Sequence, residues 1–191
     1  IISGVLPAGA KLLCTRSHSI DEVLQQMMKE SDNLFAEATY YQVAASTGRR
    51  PASAKDAKMV EYDLFDKIGL SDKHYRLADG SGLSLYNYLT AEAQVMLLRY
   101  IWQEPELYVH LLRSLPIAGE DGTLKKRMIG TAAQGNVRAK TGSVTGVSAL
   151  SGYLTACNGH CLCFSIINQG VKLMEEGRVF QDRVCEALCL P

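Results

Sequence analysis

The chain has 191 residues, 20 basic and 20 acidic side chains, and 47% hydrophobic residues, which are ordinary values for a globular protein. A formal net charge of zero argues against nucleic acid and anionic membranes as main partners, because both need clustered Lys and Arg. The longest apolar runs are too short to span a bilayer. The length suits one domain with its own core, or most of a larger one.

Helical patterns dominate the first two thirds of the chain. Residues 11–16 first predict a short apolar strand. Ser19-Ile20-Asp21-Glu22 then has the pattern of a capping box, which predicts that a helix begins there. Ser31-Asp32-Asn33 interrupts this helix with three cap-forming residues. Further helices are predicted at 34–45, from Ser53 to about Ile68, from Thr90 to about Trp102, and at 106–115.

Strand patterns appear only in the last third. Residues 137–141 predict a strand, and residues 149–157 and 160–168 predict two more. The last two flank Asn158-Gly159, which predicts a hairpin because both residues accept a positive φ. A final amphipathic helix is predicted at 174–188. Helices followed by adjacent antiparallel strands and a covering helix predict an α+β layered fold.

The cysteines give no metal-binding pattern. There is no C-x-x-C and no His at metal-finger spacing, so we predict no zinc site. Small buried hydrophobes are one interpretation of these residues, and a disulfide in an oxidising compartment is the alternative. The six positions are Cys14, Cys157, Cys161, Cys163, Cys185 and Cys189.

Two tripeptides can carry chemistry: Ser31-Asp32-Asn33, here the S-D-N motif, and Lys140-Thr141-Gly142, here the K-T-G motif. They match the second and third motifs of penicillin-binding proteins and class A β-lactamases, which follow an S-x-x-K motif. Each string alone also has a purely structural interpretation. The S-D-N motif could be only a helix cap, and the K-T-G motif could be only a strand end.

Three of these residues are candidates for proton transfer during acyl transfer. A hydroxyl such as that of Ser31 can pass a proton towards the leaving amine. The Asn33 amide can bond the substrate backbone and hold a neighbouring lysine. Lys140 supplies positive charge for the proton relay and for the terminal carboxylate of the substrate.

Three residues of the K-T-G region are candidates for substrate binding. The Thr141 hydroxyl can donate to the terminal carboxylate. Gly142 has no side chain, so a substrate can lie against the strand. The Ser143 N–H can be one donor of an oxyanion hole.

Further strings in the same order make the match more specific. Around the two motifs the chain resembles the D-alanyl-D-alanine carboxypeptidase/endopeptidase family of class C low-molecular-mass penicillin-binding proteins. The matching stretches are 31–37, 79–84, 114–119, 121–124, 137–143 and 146–153.

This resemblance implies a β-lactamase/transpeptidase-like fold with an antiparallel sheet and helices on both faces. It implies a periplasmic or cell-envelope location, peptidoglycan stem peptides as substrate, β-lactam antibiotics as ligands, and no cofactor. It also implies a serine nucleophile in an S-x-x-K motif, which no serine of this chain has. Residues 1–191 are therefore predicted to be the C-terminal portion of the penicillin-binding domain. The S-x-x-K part and inserted accessory domains are expected upstream.

Such a partial domain is predicted to lack activity alone, and to self-associate through the face that the missing part would cover. Two alternatives stay open. Glu104-Pro105-Glu106-Leu107 resembles the deacylation loop of class A β-lactamases, although Tyr108 stands where that family has Asn. A non-catalytic cell-wall-binding or scaffold protein of the same fold is the other alternative.

Overall fold

The computed structural model describes residues 7–71 and 75–190. Five α-helices come first in this part of the chain, and each predicted helix is present with its ends shifted by no more than a few residues. Ser19 and Glu22 form the expected capping box. Asp32 caps the second helix by accepting hydrogen bonds from the N–H groups of Leu34 and Phe35. The helices are α1 (Ile20–Lys29), α2 (Asn33–Ser46), α3 (Ala54–Lys67), α4 (Ala91–Gln103) and α5 (Pro105–Ser114).

Within the described residues, the sheet has three antiparallel strands in the order β1-β2-β3. The strands are β1 (Arg138–Val144), β2 (Val147–Thr155) and β3 (Cys161–Gln169), followed by α6 (Met174–Cys189). The predicted hairpin around Asn158-Gly159 joins β2 to β3, with Gly159 at a φ of 83°. The α+β prediction is confirmed.

Helices cover both faces of the sheet. Gln181 of α6 donates to the Ser148 hydroxyl at 3.0 Å, whereas Gln94 of α4 accepts from the hydroxyls of Ser151 and Ser165. Ser148 and Ser151 are three positions apart on β2, and side chains alternate between faces along a strand. The two helices therefore lie on opposite faces, as predicted. Lys140 is paired with Ser151, so its side chain is on the α4 face.

The main core lies between the sheet and α6. Leu150 and Leu154 are buried there against Cys185 and Cys189. Full burial of a leucine side chain contributes roughly 1.5–3 kcal/mol, so these residues fix which face of β2 meets α6. A smaller cluster on the other face contains Leu98, Leu115 and Tyr153.

The strand predicted at residues 11–16 is wrong. The structure gives this segment no regular secondary structure, and the side chains of Leu12 and Leu13 are 83% and 93% exposed. A strand needs a neighbour to pair its N–H and C=O groups and a surface on which to bury its apolar side chains. In the described part of the chain, neither is available to this segment.

The cysteine interpretation is correct for only part of the set. Cys185 and Cys189 are buried, but Cys14, Cys157 and Cys161 are exposed, and all six thiols are free. The disulfide alternative is therefore not realised in this structure. Among the described residues, no helix has the length and apolarity needed to cross a bilayer.

Candidate active site

An open cavity of about 870 Å³ lies where the α1–α2 junction meets β1. The loop at 79–84, a 3₁₀ helix at Gly122–Leu124 and the first half of α6 complete its walls. All six residues predicted as site residues line it, although they come from two distant parts of the chain. They are Ser31, Asn33, Lys140, Thr141, Gly142 and Ser143.

Ser31 reaches the sheet because the chain turns sharply between two helices. Helix α1 ends at Lys29, and Asp32 already caps α2. Ser31 connects them with a φ of 56°, in the left-handed region that non-glycine residues rarely occupy. This turn brings the Ser31 hydroxyl to 2.7 Å from the Lys140 amine, which donates a hydrogen bond to it.

Lys140 is held in a setting that disfavours its charge. Its amine also donates to the carbonyl oxygen of Thr141 at 2.7 Å, and it takes part in no ion pair with another described residue. Burial lowers the pKa of Lys140 below the usual value of 10.5, because desolvation penalises the ammonium form. A lysine with a lowered pKa, bonded to a hydroxyl, is suited to exchange a proton with it.

The outer edge of β1 is open along the cavity. Ala139 donates its N–H to the carbonyl oxygen of Pro116 on that edge. Because alternate residues of a strand point their N–H groups to the same side, those of Thr141 and Ser143 also face outwards. No strand pairs with this edge after Ala139 within the residues described, so an extended ligand can add there.

Gly142 leaves room for such a ligand. A methyl group added at this position would contact only Ala149, at an ordinary distance of 3.5 Å. The internal packing of the protein therefore does not demand glycine here. Asn33, at the start of α2, is exposed to the cavity, and its amide makes no hydrogen bond to another residue in the described ranges.

The loop at 79–84 is fixed on α2 beside the site. Asp79 accepts from the N–H groups of Gly82 and Ser84 at 2.8 and 2.7 Å. Glu37 of α2 accepts from the N–H of Ser81 at 3.0 Å. Ser81, Gly82 and Leu83 line the cavity, so this loop forms one of its walls.

Sequence reasoning assigns no role to Thr123, which the structure places at the site. The 3₁₀ helix that carries it packs beside β1, and the Thr141 hydroxyl donates to that of Thr123 at 2.9 Å. The preceding Asp121 forms an ion pair with Lys29 at the end of α1. In the sequence, only the match of residues 121–124 to the family pattern indicated this segment. That match did not show that the Thr123 hydroxyl would contact Thr141.

The β-lactamase-like string at Glu104 lies outside the site. Glu104 stands between α4 and α5 and does not line the cavity. Tyr108, in the position of the expected Asn, packs edge-on against Tyr153 with 5.2 Å between ring centroids. This segment therefore belongs to the helical layer, and its likeness to a deacylation loop has no counterpart at the cavity.

Comparison with known families decides where the chain belongs. The model of the D-Ala-D-Ala carboxypeptidase 3 (S13) family matches residues 2–186. The chain belongs to this family. The S13 chain is 41% identical over 160 residues to a D-alanyl-D-alanine carboxypeptidase of Actinomadura sp. (strain R39), covering 81% of this chain and 29% of that protein.

Solved structures agree with this assignment. Penicillin-binding protein 4 (DacB) from Haemophilus influenzae, in complex with a β-lactam, matches with a TM-score of 0.76 and 32% identity over 86% of this chain and 41% of that chain. The extended-spectrum β-lactamase TLA-1 matches with a TM-score of 0.67 and 19% identity, over 90% of this chain and 63% of that one. The second likeness shows the β-lactamase-like fold alone. The chain spans about a third of the length of the curated relatives it matches.

Proposed function

We propose that this S13 chain supplies two of the three motifs of a serine-type D-Ala-D-Ala carboxypeptidase or endopeptidase. The observation that carries the proposal is the 2.7 Å hydrogen bond between Lys140 and Ser31, at an open strand edge that lines the cavity. Its substrates would be peptidoglycan stem peptides, which sets its location in the periplasm or cell envelope. Family membership supports this assignment.

In this mechanism the substrate peptide lies along the free edge of β1. Thr141 donates its hydroxyl to the terminal carboxylate, and Lys140 adds positive charge nearby. The Ser143 N–H points out of the same edge and donates to the oxyanion that develops on the scissile carbonyl. Asn33 binds the backbone amide of the substrate from the opposite wall, and Gly142 lets the peptide approach the strand closely.

Proton transfer would run through Ser31. When the acyl-enzyme forms, the nitrogen of the leaving D-alanine must gain a proton. Ser31 can give it one and regain one from Lys140, whose pKa is lowered by burial. The same groups can act in reverse when water attacks the acyl-enzyme.

The nucleophile is proposed to lie in an S-x-x-K segment upstream of Ile1. No serine in the 191 residues has a lysine three positions later, and the curated relatives are about three times as long as the matched region. The chain alone should therefore be inactive. The protein that joins it to this upstream segment is called the extended protein below.

β-Lactam antibiotics are proposed to acylate the same site. A β-lactam carries a carboxylate and a reactive amide in the positions of a D-Ala-D-Ala end, so Thr141 and Ser143 can bind it as they bind substrate. The penicillin-binding protein 4 relative was solved with a β-lactam. Rapid β-lactam turnover, the β-lactamase alternative, has no support at the cavity because Glu104 lies outside it.

Self-association is proposed at the far edge of the sheet. Strand β3 is the last strand in the order β1-β2-β3, so its outer edge has no partner strand in the part of the chain that is described. Unpaired strand edges readily pair with another chain. We expect the 191-residue chain to form dimers or larger species, and the extended protein to do so less.

Release of D-alanine from a peptide ending in D-Ala-D-Ala tests the proposal. Ser31→Ala in the extended protein should lower kcat by about 10²- to 10⁴-fold, the range for a lost proton-transfer group. Ser46→Ala is the matched control, because its hydroxyl only bonds the Val43 carbonyl within α2, and it should leave kcat unchanged. Full activity of the Ser31→Ala variant would refute the proposed relay. Absence of both D-alanine release and cleavage of a cross-linked peptide by the wild type would favour the non-catalytic alternative.

A further inference from the structure

Thr123 forms a hydroxyl pair with the threonine of the K-T-G motif. The oxygens of Thr141 and Thr123 are 2.9 Å apart, and both residues line the cavity. In the described part of the chain, this is the one hydrogen bond that the Thr141 hydroxyl makes. Among the described residues, Thr123 is therefore the group that orients the Thr141 hydroxyl.

The position of Thr123 is fixed by the same structure that places Ser31. A methyl group at the preceding Gly122 would lie 2.7 Å from the carbonyl oxygen of Lys29, so this turn packs directly on the end of α1. Asp121 forms an ion pair with Lys29 and accepts from the N–H of Ile117 at 2.8 Å. These contacts hold the turn that carries Thr123 in place before any ligand arrives.

We propose that Thr123 is a positioning residue for the substrate carboxylate and acts through Thr141. The inference rests on the function proposed above. A hydroxyl has one proton and two lone pairs, and it can rotate. In the free protein Thr141 donates to Thr123. A carboxylate can only accept, so on binding the Thr141 proton turns to the carboxylate. A lone pair of the Thr141 oxygen then faces Thr123, which donates its own proton to it.

This reversal has two effects on binding. The Thr141 oxygen keeps a hydrogen bond to Thr123. The hydrogen bond from Thr141 to the carboxylate also becomes stronger, because hydrogen bonds in a chain polarise one another. The contribution is largest for a ligand with a free carboxylate. The carbonyl oxygen of a terminal amide also accepts, but hydrogen bonds to a charged acceptor are stronger, so Thr123 should favour carboxylate ends over amide ends.

Steady-state kinetics of the extended protein test the inference. Two peptides are compared: one ends in D-Ala-D-Ala with a free carboxylate, and the other is the same peptide with a C-terminal amide. Thr123→Val should raise KM for the carboxylate peptide about 3- to 10-fold, which corresponds to the loss of one hydrogen bond. The value of kcat should be nearly unchanged, because the lost interaction stabilises the bound substrate and the transition state equally. KM for the amide peptide should rise less, because its neutral carbonyl oxygen is the weaker acceptor. Thr123→Ser keeps the hydroxyl and should restore KM.

Two controls separate positioning from a structural effect. Thr155→Val makes the same change at the exposed end of β2, away from the cavity, and should alter neither constant. In a Thr141→Val background, Thr123→Val should add no further loss. Equal losses for both peptides, failure of serine to rescue KM, or additive losses in the double variant would overturn the inference. A wild type that does not prefer carboxylate over amide would overturn the proposed carboxylate site and this inference together.

Discussion

Replacement of Gly122 with alanine should damage both the stability and the geometry of the site. Gly122 links Asp121, which is paired with Lys29, to Thr123, which contacts Thr141. Its φ of 53° lies in the left-handed region, and the end of α1 leaves no space for a side chain.

The size of the effect follows from two contributions. A left-handed alanine costs roughly 1–2 kcal/mol relative to glycine. The added methyl would also lie 2.7 Å from the Lys29 carbonyl oxygen and 3.1 Å from the Pro116 side chain. Because the first of these is backbone, the turn must move, which costs about 1–3 kcal/mol. We expect a total loss of roughly 2–5 kcal/mol in the free energy of unfolding.

Gly130 provides the matched control. Its φ is 75°, but a methyl group there would meet nothing within 4 Å. Gly130→Ala should therefore lose only the conformational contribution, about 1–2 kcal/mol. Urea unfolding of the wild type and both variants measures the two losses. Equal losses in the two variants would refute the packing of this turn on α1.

Three further predictions concern other groups. Burial raises the pKa of Glu61 to about 7 from 4.5, so the folded state favours the protonated carboxyl group. The contribution of this group to the free energy of unfolding is therefore complete below pH 4.5 and is lost as pH rises to about 7. Glu61→Gln should remove this loss of stability with pH, which is roughly 1–2 kcal/mol after allowance for partial exposure. Urea unfolding measured at several pH values tests it. β-Lactam acylation of the extended protein should decrease as pH rises, with a midpoint below 10.5, because the mechanism uses the ammonium form of Lys140 and burial lowers the pKa of that group. A midpoint at or above 10.5 in a pH–rate profile would contradict this. Glu37→Ala should cost about 1–3 kcal/mol by leaving the Ser81 N–H without its acceptor, whereas Glu37→Gln keeps an oxygen and should cost less in urea unfolding.

Local patterns were sufficient to predict most of the fold. The caps at Ser19 and Asp32 and the Asn158-Gly159 turn are encoded by neighbouring residues, so the elements they begin or join could be predicted from the sequence. The segment at 11–16 has a strand-like composition, but strand formation depends on a partner elsewhere in the chain. That information is absent from a short window.

The site was predictable as a set of residues and not as a set of contacts. The two motifs identify Ser31 and Lys140, but their hydrogen bond spans 109 positions and depends on the left-handed turn at Ser31. Thr123 has no local signal, because its significance comes only from the approach of Thr141 across the sheet edge. Contacts of this kind need the folded chain.

Intact-mass spectrometry after incubation with penicillin tests the central claim most directly. The 191-residue chain and the extended protein are treated in parallel. We predict a stable adduct of one penicillin on the extended protein and none on the chain, which would place the nucleophile upstream of Ile1. No adduct on either protein would contradict an acyl-serine enzyme, and an adduct on the chain alone would place the nucleophile within these 191 residues.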